Sequence, residues 1–153
     1  MQYAYYNTSA GLAEIGFDDA VTSLRFVNQQ MHHHSPAPLS DLAASELQAY
    51  LSGRRTAFDL PIRPSGTTFQ MAVWQTLLDI PYGEIRSYGD IATAIGNPAA
   101  SRAVGMACNR NPIWILIPCH RVVGRNRKLT GYAGGLELKQ QLLNLEQQQK
   151  ADT

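Results

Sequence analysis

The arrangement of the second half of the chain is decided by one stretch, residues 87–123, which read SYGDIATAIGNPAASRAVGMACNRNPIWILIPCHRVV. Ser87 can cap a helix through Ile95, after which a glycine ends it. Asn97-Pro98 then supplies the cap and the first-turn proline of a second helix through about Cys108. Two helices joined by so short a turn predict a helix-turn-helix.

The second of these helices consists mainly of small residues, including Ala100, Ser101, Ala103 and Gly105. A helix that reads bases in the major groove needs several long polar side chains, and here only Arg102 reaches far. Small residues let the backbone approach sugar and phosphate, as in minor-groove binding, while one cationic side chain enters the base stack. The alternative is a tightly packed core helix on which Arg102 is merely solvated.

An apolar run over residues 113–117 leads into Pro118-Cys119-His120. A thiol becomes a nucleophile when a neighbouring imidazole takes its proton, directly or through one water molecule. Adjacent side chains on a strand point to opposite faces, so this pairing requires a turn or a helix start, which Pro118 favours. The segment therefore indicates a reactive thiol at Cys119.

A helix predicted from about Gly135 to Gln149 places three leucines on one stripe, and Glu146 projects within that stripe. A carboxylate on a buried face needs a partner. His120 is the candidate, and it would complete a Glu–His–Cys relay in which the carboxylate orients the imidazole. The alternative is a surface glutamate near a fraying helix end, and the residues alone leave both open.

The first half of the chain predicts a small antiparallel sheet followed by a helix. Three short segments rich in β-branched and aromatic residues are separated by turn residues, at 2–6, 11–16 and 21–27. Ser40 can cap a helix from Asp41 to about Leu51, on which Leu42 and Leu47 recur near helical spacing.

Residues 54–66 hold three arginines, two prolines and one glycine without helical or strand periodicity, as in a linker between domains. We predict two domains, 1–64 and 65–153. Thr67 or Thr68 can cap the next helix, whose apolar residues fall at core spacing: Phe69, Val73, Trp74, Leu77 and Leu78. The predicted fold class is α+β, with a small antiparallel sheet and helix first, then a mainly helical domain containing the helix-turn-helix and a short sheet.

Composition narrows the class of protein. No segment approaches the roughly 18 uninterrupted apolar residues of a membrane span, and residues 1–10 lack the pattern of a signal peptide, so we expect a cytoplasmic protein. Two cysteines, Cys108 and Cys119, are too few for a disulfide framework, and we assign Cys108 to packing. The net charge is −3 over residues 1–80 and +4 over residues 81–153, which favours a polyanion weakly.

Three adjacent histidines, His32–His34, precede two prolines and are predicted to lie in a loop. A metal clip is the functional alternative for them. Adjacent rings splay apart, however, and no nearby thiol or well-spaced carboxylate completes a site. We therefore expect no metal and no cofactor.

Several motifs of the second half occur in the order found in one family. They are Gly96-Asn97-Pro98, Arg102-Ala103-Val104-Gly105, Ile117-Pro118-Cys119-His120-Arg121-Val122 and Gly131-Tyr132-Ala133-Gly134-Gly135. On these residues, the segment from Thr68 to Glu146 resembles the methylated-DNA protein-cysteine methyltransferases, also called O6-alkylguanine-DNA alkyltransferases. The first half is similar only in length and strand pattern, and residues 1–64 are then expected to form a ribonuclease-H-like scaffold.

The resemblance implies direct-reversal DNA repair, in which O6-alkylguanine, chiefly O6-methylguanine, is flipped from duplex DNA and gives up its alkyl group irreversibly, once per protein molecule. It implies that Cys119 accepts the alkyl group, that His120 is the water-mediated base and that Glu146 orients it. Asn111 is then the residue of the Asn-Pro turn that braces the active-site segment.

The same resemblance implies how DNA is bound. Tyr88 matches the tyrosine that helps to rotate the target nucleotide's phosphate and donates to guanine N3, and Arg102 matches the arginine that fills the vacated base position. Further DNA contacts are implied for Ala100, Ser101, Ala103 and Gly105. The wall of the base pocket is implied to be Tyr132, Ala133, Gly134, Trp114 and Val122.

Two residues depart from the family's pattern. Ala133 stands where some relatives have a serine that can bond O6, so the Tyr132 backbone or water must supply that donor. Trp114 stands where relatives have proline or a smaller residue, and we therefore expect poorer acceptance of bulky adducts such as benzyl. The family's zinc site, where present, uses N-terminal cysteines that this chain lacks.

The expected partner is double-stranded DNA bearing alkylated guanine, bound through its minor groove, by a monomer that can assemble cooperatively on DNA, and no membrane is involved. Two rival functions remain. A sensor would flip the lesion without accepting the alkyl group, which an intact Cys119 argues against. A cysteine hydrolase using Cys119, His120 and Glu146 would regenerate its thiol, but would leave the Arg102 helix unexplained.

Overall fold

The computed structural model describes residues 1–151, and its packing divides the chain into two units. The first unit is Met1–Ser65 together with the short segment Pro112–Trp114. The second is Gly66–Asn111 together with the chain from Ile115 onward. This division lies one residue from the boundary predicted from the sequence, except that Pro112–Trp114 packs with the first unit.

The first unit is built on a three-stranded antiparallel sheet in the order β1-β2-β3. The strands are β1 (Gln2–Thr8), β2 (Gly11–Phe17) and β3 (Val21–Val27). This confirms the predicted meander, with β1 and β2 slightly longer than expected. Residues 13–17 of β2 are all buried, because β2 pairs on both edges and α1 (Pro38–Leu51) packs against it.

Helix α1 begins three residues earlier than the sequence predicted. Ala37 is the residue before its first turn and Pro38 occupies the first helical position, where a proline has no N–H to satisfy. Ser40 therefore lies inside the helix, where its Oγ accepts from the Ala37 N–H at 2.9 Å. The core side of α1 also differs, because Leu42 is exposed while Ala43 and Tyr50 are fully buried.

The second unit contains four helices and a short parallel strand pair. The elements are α2 (Thr68–Leu77), β4 (Arg86–Ser87), α3 (Tyr88–Ala94), α4 (Ser101–Asn109), β5 (Val122–Val123) and α5 (Leu136–Ala151). Strand β4 pairs with β5, so the residue before α3 lies beside the end of the Cys119 segment. Thr67 caps α2 and Ser87 caps α3, as predicted, but Phe69 is half-buried and Leu78 is exposed. Among residues 1–151, no helix combines the length and apolar composition that crossing a membrane requires.

The helix-turn-helix is present as α3 and α4, but the turn is longer than the sequence predicted. The Asn97 N–H donates to the Ala92 carbonyl at 2.9 Å and so closes the end of α3. The Ala100 N–H then donates to the Asn97 carbonyl, and Ala100 precedes the first residue of α4. Asn97-Pro98 therefore does not start α4, which begins at Ser101.

Candidate active site

Cys119 opens a single turn of 3-10 helix that spans Cys119–Arg121. Pro118 precedes this turn, which confirms that the motif is not an extended strand. The Cys119 side chain is buried, and its Sγ accepts from Asn111 Nδ2 at 3.1 Å. The same Nδ2 donates to the Ile117 carbonyl at 2.9 Å, so Asn111 fixes both the thiol and the backbone that presents it.

The approach to this turn contains a β-branched residue in the left-handed region, Ile115, with φ of 73°. Isoleucine rarely adopts this conformation, because its branched side chain then crowds the backbone. Ile115 is 2% exposed, so its surroundings hold it there. Such locally costly backbone occurs most often where a fold positions functional groups.

His120 and Glu146 form a buried pair. His120 Nε2 lies 2.7 Å from Glu146 Oε2, and both side chains are at most 1% exposed. With Nε2 protonated toward the carboxylate, Nδ1 is the basic nitrogen of the imidazole. The structure thus shows the predicted contact between His120 and Glu146 across two elements, the 3-10 turn and α5, and places Cys119 directly before His120 in that turn.

Arg121 is a second partner of Glu146, and the sequence reasoning missed it. Its Nε donates to Oε1 at 2.8 Å and its Nη2 donates to Oε2 at 3.0 Å. Its Nη1 donates to the Ile80 carbonyl at 2.7 Å, and its guanidinium lies 5.6 Å from the centre of the Tyr82 ring. Glu146 also accepts from the Gly83 N–H at 3.2 Å, so its two oxygens accept from three residues of this unit.

The charges of the site follow from this arrangement. Burial raises the pKa of the Cys119 thiol to about 11, although the Asn111 hydrogen bond opposes it, so the resting group is a neutral thiol. Burial lowers the pKa of His120, which leaves a neutral imidazole. Burial alone would raise the pKa of Glu146, but His120 and Arg121 outweigh it and lower the value to about 2. The site therefore holds a neutral thiol, a neutral imidazole and a fixed negative charge, with the imidazole and the carboxylate in direct contact.

We expect the alkylation rate of Cys119 to level off above neutral pH and to fall at acid pH with a midpoint below 6.5, the ordinary pKa of histidine. Only the neutral imidazole can accept the thiol proton, and burial of His120 lowers the pH at which that form is lost. The measurement is the rate of Cys119 modification by a small electrophile across pH. A rate that rises in proportion to hydroxide without a plateau would contradict this, because solvent alone would then remove the proton.

Lys139 is the other functional candidate that sequence reasoning missed. It is fully buried, and its Nζ donates to the Thr130 carbonyl at 2.9 Å and to Tyr88 Oη at 3.4 Å. The Tyr88 hydroxyl in turn donates to the Thr130 carbonyl at 3.1 Å. The positive charge of Lys139 favours the thiolate form of Cys119, while its contacts fix Tyr88.

Tyr132 is buried, and burial raises the pKa of its hydroxyl well above the usual value. The Tyr132 hydroxyl opposes the effect of burial on the pKa of the Cys119 thiol, so the two side chains lie close together. Val122 is also buried, in β5 directly after the 3-10 turn, whereas Ala133 is exposed and Gly134 is half-buried. These positions are compatible with the pocket wall expected from the sequence.

The exposed face of α4 carries the residues predicted to contact DNA. Arg102 and Ala103 are exposed, while Ser101 and Gly105 are half-buried. A Cβ built at Gly105 would lie 3.8 Å from two carbons of the Tyr88 ring, so α4 approaches Tyr88 closely there. Val104, on the opposite face, is fully buried. Because Arg102 and Ala103 are exposed, α4 is not buried on all sides as a core helix would be.

The remaining predicted residues lie elsewhere. Trp114 belongs to the first unit, where its ring lies 6.3 Å from that of Phe26, and its place in the base pocket stays a prediction. His32 stacks on Tyr3 with the ring centres 3.9 Å apart, and His34 Nδ1 accepts from the Tyr5 N–H at 3.1 Å. Within residues 1–151, no group of three or more His, Cys, Asp or Glu side chains is placed to hold a metal ion.

Comparison with known proteins gives consistent matches. Residues 68–148 match the family model for the DNA-binding domain of 6-O-methylguanine DNA methyltransferase. A methylated-DNA–protein-cysteine methyltransferase of Methanosarcina acetivorans is 60% identical over 104 residues, which cover 68% of this chain and 67% of that protein. The Mycobacterium tuberculosis protein of the same name is 48% identical over 136 residues, which cover 86% of this chain and 82% of the relative.

Solved structures agree over nearly the whole length. The crystal structure of Mycobacterium tuberculosis O6-methylguanine methyltransferase superposes with a TM-score of 0.87 at 44% identity, covering 97% of this chain and 93% of that one. The structure of Mycobacterium tuberculosis OGT in complex with DNA superposes with a TM-score of 0.89, also at 44% identity, covering 97% of this chain and 94% of that one. The predicted α+β fold is thereby confirmed.

Proposed function

Because the chain belongs to the methylated-DNA–protein-cysteine methyltransferase family, we propose that it repairs DNA by moving the methyl group of O6-methylguanine onto Cys119. The observation that carries this proposal is the buried contact of 2.7 Å between His120 and Glu146, next to the thiol in the same turn. A thiol with a neutral imidazole and a fixed carboxylate can be deprotonated at the moment it attacks.

In the proposed step, the bond from Cys119 Sγ to the methyl carbon forms as the bond from that carbon to guanine O6 breaks. The thiol proton passes to His120, directly or through one water molecule, and Glu146 stabilises the imidazolium. Guanine leaves as an anion, and Tyr88 stabilises it by turning its hydroxyl hydrogen from the Thr130 carbonyl to donate to N3. The product is a thioether, which water does not cleave, so each molecule acts once.

The test is to incubate the protein with duplex DNA that contains one O6-methylguanine and to measure the mass of the protein. We expect a gain of one methyl group per molecule, on the peptide that contains Cys119. A protein that binds the DNA without gaining mass would be a sensor. A protein that consumes excess substrate and keeps a free thiol would be a hydrolase, and either outcome would overturn the proposal.

A base within the duplex cannot reach a buried thiol, so the proposal includes extrusion of the guanine, which costs a few kcal/mol. Arg102, exposed on α4, is proposed to fill the vacated position from the minor-groove side. We further propose that the protein acts as a monomer, that it can assemble cooperatively on DNA, and that it works in the cytoplasm.

The substitution Arg102→Ala is expected to slow transfer from duplex DNA about 10- to 100-fold, because the unstacked state loses the side chain that offsets its cost. Transfer from the free base O6-methylguanine should be unchanged, since no base stack is opened. Single-turnover rates with the two substrates provide the measurement. An equal loss with both substrates would mean that Arg102 supports the pocket and does not assist flipping.

Removal of the Trp114 side chain is expected to raise the rate with O6-benzylguanine relative to O6-methylguanine, because the sequence suggests that its bulk limits large adducts. Trp114→Ala is the suitable variant, since the Trp114 N–H donates to the Leu24 carbonyl at 3.0 Å and proline would remove that bond. The ratio of the two transfer rates is the readout. A ratio equal to that of the unaltered protein would exclude the idea.

A further inference from the structure

Two pockets open beside helix α4, and each contains an arginine that forms no ion pair within residues 1–151. The first, the Arg125 pocket, has a volume of about 230 Å³ and is lined by Ser87, Tyr88, Gly89, Ser101, Gly124 and Arg125. The second, the Arg110 pocket, has a volume of about 360 Å³, and its lining includes Thr67, Phe69, Gln70, Ala103, Met106 and Arg110. Both lie wholly within the second unit.

Ion pairs divide the arginines of the chain into two groups. Arg25, Arg55, Arg63, Arg86 and Arg121 each pair with a carboxylate. In the part of the chain that the structure describes, the other five arginines are exposed and pair with none: Arg54, Arg102, Arg110, Arg125 and Arg127. Of these, Arg102, Arg110 and Arg125 lie on α4 or in a pocket that α4 lines. An exposed guanidinium with no carboxylate partner retains its full attraction for a phosphate.

Helix geometry places the two pockets on opposite sides of Arg102. Successive residues of an α-helix are rotated by about 100°, so Ser101 and Ala103 flank Arg102 on its two sides. Ser101 lines the Arg125 pocket and Ala103 lines the Arg110 pocket. If Arg102 points toward the bases of a groove, the pockets face the two phosphate backbones that border it.

The lining of the Arg125 pocket suits a phosphate group. Gly89 and Gly124 have no side chains to fill the space, and Ser101 adds a hydroxyl. Ser87 Oγ accepts from the Asp90 N–H at 3.0 Å, which leaves its hydroxyl hydrogen available to donate. Because Tyr88 shares this pocket and also contacts the loop that precedes Tyr132, the pocket lies beside the candidate active site.

We propose that each pocket holds a phosphate of a different DNA strand, the Arg125 pocket that of the strand carrying the damaged base and the Arg110 pocket that of the complementary strand. This rests on the proposed function for the identity of the DNA. Phe69, Ala103 and Met106 also line the Arg110 pocket, and in the proposed complex these side chains face the deoxyribose beside the phosphate.

Salt-dependent binding of the full-length protein tests the proposal, using an unmodified duplex and the corresponding single strand. Arg110→Ala should lower the slope of log affinity against log salt by about 1 on the duplex and leave the single-strand slope unchanged. Arg125→Ala should lower both slopes by about 1, and each loss should weaken binding about fivefold. Arg54→Ala is the matched control, since it removes from the first unit an exposed arginine that forms no ion pair with the described part of the chain.

A second measurement identifies the strands. On the damaged strand, a neutral methylphosphonate at one position should weaken binding of the unaltered protein but should not weaken binding of Arg125→Ala further. On the complementary strand, a methylphosphonate at one position should weaken binding of the unaltered protein but should not weaken binding of Arg110→Ala further. Lysine at either position should restore the slope, because it restores the charge.

The proposal is overturned if both variants act alike on single and double strands, or if neither differs from Arg54→Ala. It is also overturned if Arg125→Ala slows transfer from the free base as much as from DNA, since Arg125 would then act on the transfer reaction and not on DNA binding. Failure of the unaltered protein to accept methyl groups would instead count against the proposed function, while the binding slopes would still decide this inference.

Discussion

Cys119→Ser is expected to abolish methyl transfer, lowering the rate by more than about 10⁴-fold. A serine hydroxyl has nearly the same shape, but it ionises far less readily than a thiol and attacks carbon poorly. The surroundings are built for sulfur that is buried and held by Asn111 at 3.1 Å. Intact mass after incubation with O6-methylguanine DNA is the readout, and we expect no gain.

The control for this variant is its stability and its affinity for DNA. Both should stay close to those of the unaltered protein, because Cys119 contributes no exposed surface and serine keeps the hydrogen bond from Asn111. Cys108→Ser serves as the matched variant of the other cysteine, since burial raises the pKa of Cys108 to about 12 and no role in transfer is assigned to it. Methyl transfer that persists in Cys119→Ser would refute the assignment of the acceptor.

Glu146→Gln is expected to lower the free energy of unfolding by about 3 kcal/mol and the transfer rate by about 10- to 100-fold. Glutamine keeps the shape of the side chain but removes the charge that partners Arg121, whose side chain is 10% exposed. The buried guanidinium is then left without a counter-ion, and His120 loses the group that orients it. Urea denaturation and single-turnover kinetics measure the two effects.

The same substitution is expected to change how the free energy of unfolding depends on pH. The pKa of Glu146 is lowered from 4.5 to about 2, so its contribution to stability is present above pH 4.5 and is lost as pH falls toward 2. Glu146→Gln should remove that part of the acid dependence. Glu84→Gln, which breaks the half-exposed pair with Arg86, is the matched control and should cost less than about 1 kcal/mol. Equal losses from the two variants would show that burial of the Glu146 pair contributes nothing.

Much of this architecture could be predicted because local chemistry decides it. Ser87 and Thr67 are caps whose side chains satisfy the first amides of α3 and α2, and no distant contact overrides them. The predicted start of α4 was wrong because a contact with the preceding helix overrides the local sequence there. Asn97 and Pro98 have the composition of a helix start, but the Asn97 N–H is already used to close α3.

Lys139 and Arg121 could not be found by pattern. From the hydrophobic pattern of α5, a lysine is predicted to face solvent. Lys139 is buried because the carbonyls of Thr130 and Gly131 accept hydrogen bonds from it. Arg121 is adjacent to the reactive pair in sequence, yet its partners lie 25 and 41 residues away. The contact between Glu146 and His120 could be predicted because a carboxylate among buried leucines needs a partner, whereas a lysine or arginine on a flexible side chain is ordinarily assigned to solvent.

Glu146 accepts hydrogen bonds from His120, Arg121 and the Gly83 N–H, so one side chain serves both the reaction and the architecture. The two kinds of inactivating change therefore face different fates under natural selection. A descendant that replaces Cys119 is expected to keep the fold and, on the proposed function, the ability to bind damaged DNA, so such a lineage can acquire a new use. A descendant that replaces Glu146 is expected to lose stability along with reactivity, so that path of divergence is less open.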